Sequence, residues 1–264
     1  MSADNATSSE QVAFAPNWGR RVGWLLLAVY VVYAGSQLGF SAERFSFGLE
    51  HGHRFLARMF PPNFSRWELI LSGIVESLQI SVIATFFGIL LSLPIGFLAA
   101  RNLSPAWVSW PTRGFIALCR SFHPIIVAIL FVKAIGFGAL AGVMALIVAS
   151  IGFISKLFAE AIEEISLKQV EAVRATGAGF MSVLIMGVLP QVLPRFIGFS
   201  TYQLDSNLRN STMVGIVGGG GIGAALFTAY QRFDFDVVLA ILIVIVSLIM
   251  IAEIVSGWAR RVFQ

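Results

Sequence analysis

The ionisable side chains inside otherwise apolar stretches of this 264-residue chain that could do chemistry are Glu76, Arg120, Lys133, Asp205 and Arg209. A charge inside a membrane helix costs about 2.5–3.5 kcal/mol on insertion scales, so it must face a cavity, a partner or the end of a span. Asp205 and Arg209 stand four residues apart and can neutralise each other on one helix face. Without acidic partners, Arg120 and Arg209 would instead make a passage electropositive and suited to a small oxyanion. Asn207, Asn210, Ser211 and Thr212 add hydrogen-bonding groups in the same stretch. Lys133 lies near the end of its apolar run, where its stem can carry the ammonium to the interface.

Other chemistry is thinly represented. The histidines are His51, His53 and His123. The first two stand two apart with no cysteine or second pair nearby, so they read as solvated and no metal site is assigned. His123 precedes Pro124 and marks a kink, with a pore-facing imidazole as the other reading. Gly218, Gly219, Gly220 and Gly221, followed by Gly223, could offer backbone N–H groups to an anion. They equally suit a helix break that lets two subunits pack closely, or an outer gate. No Gly-Lys-Ser/Thr occurs, so the loop that cradles ATP phosphates is missing. No catalytic residue and no cofactor is assigned. The single cysteine, Cys119, excludes an internal disulfide.

The elements that must position these groups are membrane helices. The chain is 57% hydrophobic and 12% charged with mean hydropathy +0.84, against about 45–50% and about 25% in soluble domains. Its net charge of +4 comes from basic residues near the ends of apolar runs, which points to topology rather than nucleic acid. Residues 1–19 are polar and read as a disordered cytoplasmic terminus. Residues 20–68 hold a first span, 24–40, behind Arg20 and Arg21, with a cleaved signal peptide as the rival reading. An aromatic and basic segment up to residue 68 suits the outer interface. Further spans are expected at 69–100, 115–135, 139–158, 194–217 and 237–258. With the N-terminus inside, six crossings place Arg101, Arg113, Lys156, Lys168, Arg174, Arg195, Arg260 and Arg261 on the inner side. Both termini are then cytoplasmic.

Residues 160–190 interrupt this pattern. Glu160, Glu164 and Lys168 fall at i, i+4 spacing, and Glu171 and Arg174 at i, i+3, as in a solvated helix. Gly177 and Gly179 break it, and a second short helix over 180–188 is expected to end at Pro190. Connectors in bundles commonly run about 2–8 residues, so one this long reads as a docking arm for a soluble partner.

Here the chain resembles a family. Glu171-Ala172-Val173, then Gly177, then Leu189-Pro190 is similar to the EAA loop of bacterial ABC-importer permeases, the MetI-like superfamily. Val173 replaces an alanine, and Gly187 stands where the family often has isoleucine. Residues 204–212 followed by Val217-Gly218-Gly219-Gly220-Gly221-Ile222-Gly223 resemble the phosphonate-type permeases, as does Arg120-Ser121-Phe122. Relatives often continue with Asn-Glu where this chain has His123-Pro124.

The resemblance implies an all-α integral membrane protein of about six spans with the type I ABC importer permease fold, residues 69–264 forming the transmembrane domain. It implies a bacterial inner-membrane, multi-pass subunit importing phosphonate or a related phosphorus oxyanion. The expected partners are an ATPase dimer that binds ATP and magnesium, a second permease copy or close paralogue, and a periplasmic substrate-binding protein. Glu164, Glu171, Ala172, Arg174, Gly177, Leu189 and Pro190 would couple to the ATPase. Arg120, His123, Asn207, Arg209, Ser211 and Thr212 would line the pathway. The glycine run would gate or pack. An ion-coupled secondary transporter would need mid-membrane titratable groups and inverted repeats. A membrane phosphatase or lipid enzyme would need clustered His, Asp or Arg motifs.

Overall fold

The computed structural model describes residues 18–39 and 41–263, and the regular structure among them is entirely helical. The expected disordered terminus thus lies outside the described residues except for Trp18 and Gly19, which begin the first helix. By contact the chain divides into residues 1–57 and 58–264.

The first unit contains α1 (Trp18–Gln37) and most of α2 (Ala42–Met59). Helix α1 begins earlier than the hydropathy of 24–40 suggests. In α2, Glu43 in the first turn and Arg58 in the last complement the helix dipole. Phe45, Leu49 and Leu56 share one exposed side, while Arg54 pairs with Glu50 at 2.6 Å.

The second unit is built on the contact between α3 (Trp67–Ala99) and α6 (Ala139–Glu163). Lipid offers no hydrophobic drive between helices, so close contact must come from small side chains and interhelical hydrogen bonds. Helix α3 buries Gly73, Ser77, Ser81, Ala84, Gly88 and Gly96 along one stripe. Gly88 sits against the Ser150 side chain, where a Cβ would collide. Toward the other end, Phe158 of α6 is fully buried between Phe97 and Phe196, with ring centroids 5.0 and 4.8 Å away.

The expected span 115–135 is instead two helices, α4 (Ala106–Ser121) and α5 (Pro124–Ile135), bent by 88°. Pro124 forces the preceding residue out of helical geometry, and His123 is extended at φ −67°, ψ 141°. Its Nδ1 accepts from the Ile125 N–H at 3.4 Å and so caps the restarted helix. A kink was expected at this point; the observed break is close to a right angle.

After α6 come α7 (Leu167–Ala175), the single turn α8 (Phe180–Val183), a π-helical turn (Leu184–Val188) and α9 (Leu189–Ile216). Pro190 does not end this helix: residues Phe180–Ile216 form one apolar run of 37 residues. Pro190 stands directly after a π turn, and that wider turn accommodates the N–H that proline lacks. Helices α10 (Ile222–Gln231) and α11 (Phe235–Phe263) complete the unit. Among the described residues, four helices are long and apolar enough to cross a membrane, or up to six spans result if α1–α2 and α4–α5 are each counted as one bent span.

The glycine run is packed within this chain. Gly220 and Gly221 take φ of 79° and 75°, which few other residues adopt. The loop crosses between α3 and α6: Gly138 N–H donates to the Gly218 carbonyl at 2.9 Å, and Ile222 N–H to Ser77 Oγ at 2.9 Å. A Cβ on Gly142 would overlap the Gly219 carbonyl. Close packing of these glycines therefore occurs inside one subunit. Gly142→Ile must push the loop away, and overpacking of this kind costs about 1–3 kcal/mol. We expect a lower thermal midpoint for the purified variant by tryptophan fluorescence; an unchanged midpoint would show that the loop adapts freely.

Candidate functional site

The arm between α6 and α9 is assembled by three local features. Glu163 ends α6, and Ser166 occupies the N-cap position of α7. After α7, Gly177 turns the chain at φ 80°, a conformation that glycine adopts without strain. Val170 is buried against Ile162, Val183 and Val188, which holds α7 onto the π turn. Gly187 makes this approach close: Val170 and Val173 atoms lie 3.4–3.8 Å from where its Cβ would be. That leaves room for a methyl group and little more, which gives a physical reason for glycine rather than isoleucine here.

The base of the arm is tied to long helices by polar contacts. Glu163 Oε1 accepts from Arg113 Nη2 at 2.5 Å and from the Arg101 N–H at 2.7 Å. Arg113 Nε donates to the Ala99 carbonyl at 2.9 Å, and Asn102 Nδ2 to the Ile162 carbonyl at 2.7 Å. These contacts join the end of α3, the middle of α4 and the end of α6. Gln191 of α9 grips the α6–α7 link in both directions: its Oε1 accepts from Ser166 N–H at 3.0 Å, and its Nε2 donates to Ser166 O at 3.4 Å. The same Nε2 donates to Gly187 O at 2.6 Å.

Glu164 pairs with Arg195 of α9 at 2.5 Å, and Glu160 with Lys156 at 3.4 Å. The expected Glu160–Glu164–Lys168 ladder therefore does not form, because α6 stops before Lys168 begins its turn in α7. The side chains of Glu164 and Arg195 are more than half exposed, so this pair contributes about 0–1 kcal/mol. Glu163 and Arg113 are about 70% shielded and share further bonds, so they are the stronger fastening.

Beyond this base the arm offers a free surface. Glu171, Ala172, Arg174 and Gly177 are exposed, as is Pro190, while Leu189 is half-buried. Among the described residues, neither Glu171 nor Arg174 has an ion-pair partner within the chain. Sequence reasoning missed Glu163, Arg113 and Gln191. In the sequence Arg113 reads only as a topology marker. Gln191 offered no signal beyond its position after Pro190.

The intramembrane polar residues separate into groups. Asn207 is fully buried and donates from Nδ2 to Thr85 Oγ1 and Ser150 Oγ, both at 2.9 Å. Gln203 Nε2 donates to Asn207 Oδ1 at 2.9 Å and to Ser150 Oγ at 3.0 Å. This network joins α3, α6 and α9. Ser211 is buried and donates to the Leu208 carbonyl at 2.7 Å, and the Thr212 carbonyl abuts Gly223. Arg209 pairs with Asp205 at 2.6 Å, as their spacing allows. Asp205 Oδ1 is buried without a hydrogen-bond partner beside a largely apolar cavity of about 680 Å³ between α3, α9 and α11. Arg120 is exposed on α4 and lines a different, smaller cavity; His123 is exposed at the α4–α5 break. The structure therefore groups Asn207 with Gln203 and not with Arg120.

Residues 92–263 match the family model described as "binding-protein-dependent transport system inner membrane component". The phosphate-import permease protein PhnE of Mycolicibacterium smegmatis is 45% identical over 205 residues, covering 77% of this chain. The chain spans only 38% of that longer relative. The phosphite transport system permease protein PtxC of Stutzerimonas stutzeri is 36% identical over 257 residues, covering 95% of this chain and 92% of the relative. Among solved structures, an inward-facing MetNI methionine ABC transporter chain aligns with TM-score 0.66 and 26% identity, covering 76% of this chain and 99% of the other.

Removing the Gln191 amide should loosen the arm without disturbing the bundle. Lost hydrogen bonds at about 0.5–1.5 kcal/mol each correspond to roughly tenfold faster opening. Gln191→Ala should therefore show faster hydrogen exchange over residues 164–188, with exchange in α3 and α6 unchanged. Identical exchange across the arm would remove Gln191 from its fastening.

Proposed function

The chain belongs to the binding-protein-dependent transport system inner membrane component family, and from that premise we propose that it is the membrane-spanning subunit of an ATP-driven importer for phosphonate, phosphite, phosphate or a related phosphorus oxyanion. The names of its phosphate- and phosphite-permease relatives support this substrate class. In this reading a partner ATPase dimer binds ATP and magnesium and supplies the hydrolysis. A periplasmic binding protein delivers the solute, and two permease copies, or this chain and a close paralogue, enclose the path. The termini and residues 160–190 face the cytoplasm.

The observation that carries the reading is the arm: a solvated helix with unpartnered charges at its tip and polar fastenings at its base. Glu171, Ala172, Arg174 and Gly177 form the face offered to the ATPase. Glu164, Leu189 and Pro190 belong to the base that transmits its motion. The fastenings to α6 and α9 make the arm a lever, so closure of the ATPases would rock those helices.

Within the bundle we assign Arg120, His123 and Arg209, with Thr212, to the pathway. The Asp205 carboxylate already offsets Arg209, so the pathway is less positive there than two free arginines would make it. Asn207 and Ser211 brace the helices, because their hydrogen bonds are satisfied inside one chain. The glycines 218–221 and Gly223 hold the outer end of α3 against α6.

Reversing a charge at a docking contact costs at least about 2 kcal/mol, or more than tenfold in affinity. Glu171→Lys should therefore insert normally yet lose phosphite uptake in cells and fail to retain the ATPase on purification. Normal uptake by this variant would refute the docking role, and failure of any ATPase to accompany the wild type purified from its native membranes would refute the importer.

A further inference from the structure

Arg113, Arg120 and Lys156 converge on a cavity of about 170 Å³ between α4 and α6. On α4, Arg113, Ile116, Ala117 and Arg120 follow i, i+3, i+4, i+7 spacing and form one stripe. Facing them on α6 are Lys156, Ala159 and Glu160. The helices run antiparallel here, so Arg120 lies near Gly152 and Arg113 lies near Glu163 at the base of the arm. Gly152 permits this approach: its Cβ would lie 2.8 Å from Arg120 Cγ and 3.2 Å from the Cys119 carbonyl carbon. The alanines 99, 117 and 159 leave the space open.

The charges do not cancel. Arg113 is matched by Glu163 at 2.5 Å. Lys156 has only a looser contact with Glu160, at 3.4 Å, with both side chains more than 40% exposed. Arg120 has neither an ion-pair partner nor a side-chain hydrogen bond among the described residues. Three cations thus meet two carboxylates. A guanidinium fork and an ammonium together present donors that suit a tetrahedral oxyanion. The cavity has roughly the volume of five or six waters, enough for one such anion and part of its hydration shell.

We propose that this cleft is a phosphorus-oxyanion site, with Arg120 and Lys156 as its principal ligands and Glu160 as an internal competitor for Lys156. The choice of phosphorus chemistry rests on the reading of the chain as an oxyanion permease; the electropositive cleft does not. The same group can arrive as the transported solute or as the headgroup phosphate of a phospholipid in the adjoining leaflet.

The test uses the full-length chain purified in neutral detergent, without ATPase, and measures equilibrium binding of radiolabelled inorganic phosphate at constant ionic strength. Retained phosphatidylglycerol is measured on the same samples by mass spectrometry. The double variant Arg120→Gln/Lys156→Gln should lower occupancy about tenfold. Glu160→Gln should raise it severalfold, a gain that misfolding cannot imitate, while Arg232→Gln leaves it unchanged. Phosphate binding without lipid retention identifies the solute as the source. Site-dependent retention of phosphatidylglycerol that excludes phosphate identifies the lipid. Occupancy that neither the double variant lowers nor Glu160→Gln raises, for both ligands, overturns the site. Phosphite uptake by the wild-type assembly in proteoliposomes separates the two ideas. Uptake without site-dependent binding refutes only the cleft, and binding without uptake of any phosphorus oxyanion refutes only the importer reading.

Discussion

The Glu163 carboxylate ties three helices together at once. It takes the Arg101 N–H just past α3 and the Arg113 guanidinium of α4, and it is itself the last residue of α6. Helix C-termini leave carbonyls without intrahelical donors, and here Arg113 and Asn102 supply donors to Ala99 and Ile162. Charge-assisted bonds of this kind contribute about 1.5–3 kcal/mol each, more than the exposed Glu164–Arg195 pair. The junction therefore fixes where the bundle stops and the arm starts. Gln191 then ties the far side of that start to α9, so both ends of the arm are anchored within one turn of their parent helices.

Inside the bundle the same economy of polar contacts holds. Lipid supplies neither water for stray donors nor a drive for apolar helices to associate. The chain answers with a stripe of glycine, serine and alanine on α3 and with the amides of Gln203 and Asn207, which reach Thr85 and Ser150. The glycine loop locks the other end by approaching Gly142 and Ser77 more closely than any side chain would allow. The bundle is therefore joined at both ends. In the proposed importer, movement imposed on the arm would reach α6 and α9 as rotation of whole helices instead of local melting.

Much of this was legible in the sequence. Hydropathy located the long helices α3, α6, α9 and α11, and the spacing of Glu171, Gly177 and Pro190 located the arm. What it could not resolve followed from tertiary context. The run 115–135 is apolar enough to read as one span despite Arg120 and Lys133, but proline's restriction on His123 outweighs hydropathy and turns the chain by 88°. Pro190 resembles a terminator, yet a π turn places it in the first turn of a helix where it costs little. Asn207 resembles a pathway donor because its burial depends on α6 and α3, about 60 and 120 residues earlier in the chain. Arg113 and Glu163 lie 50 residues apart, and no local pattern relates them. The short helix α10 escaped notice because its apolar residues continue the glycine run without a charged boundary.

In the proposed importer the arm and α9 would move as one body. Spin labels at Thr176 and Leu204, in a Cys119→Ser chain diluted with unlabelled copies in the assembled transporter, report the distance between them by pulsed electron resonance. Between nucleotide-free and ATP-trapped states that distance should change by no more than about 2 Å, the scale of packed-helix adjustment. A shift of about 5 Å, one helical turn, would show the arm sliding past α9 and would contradict the account.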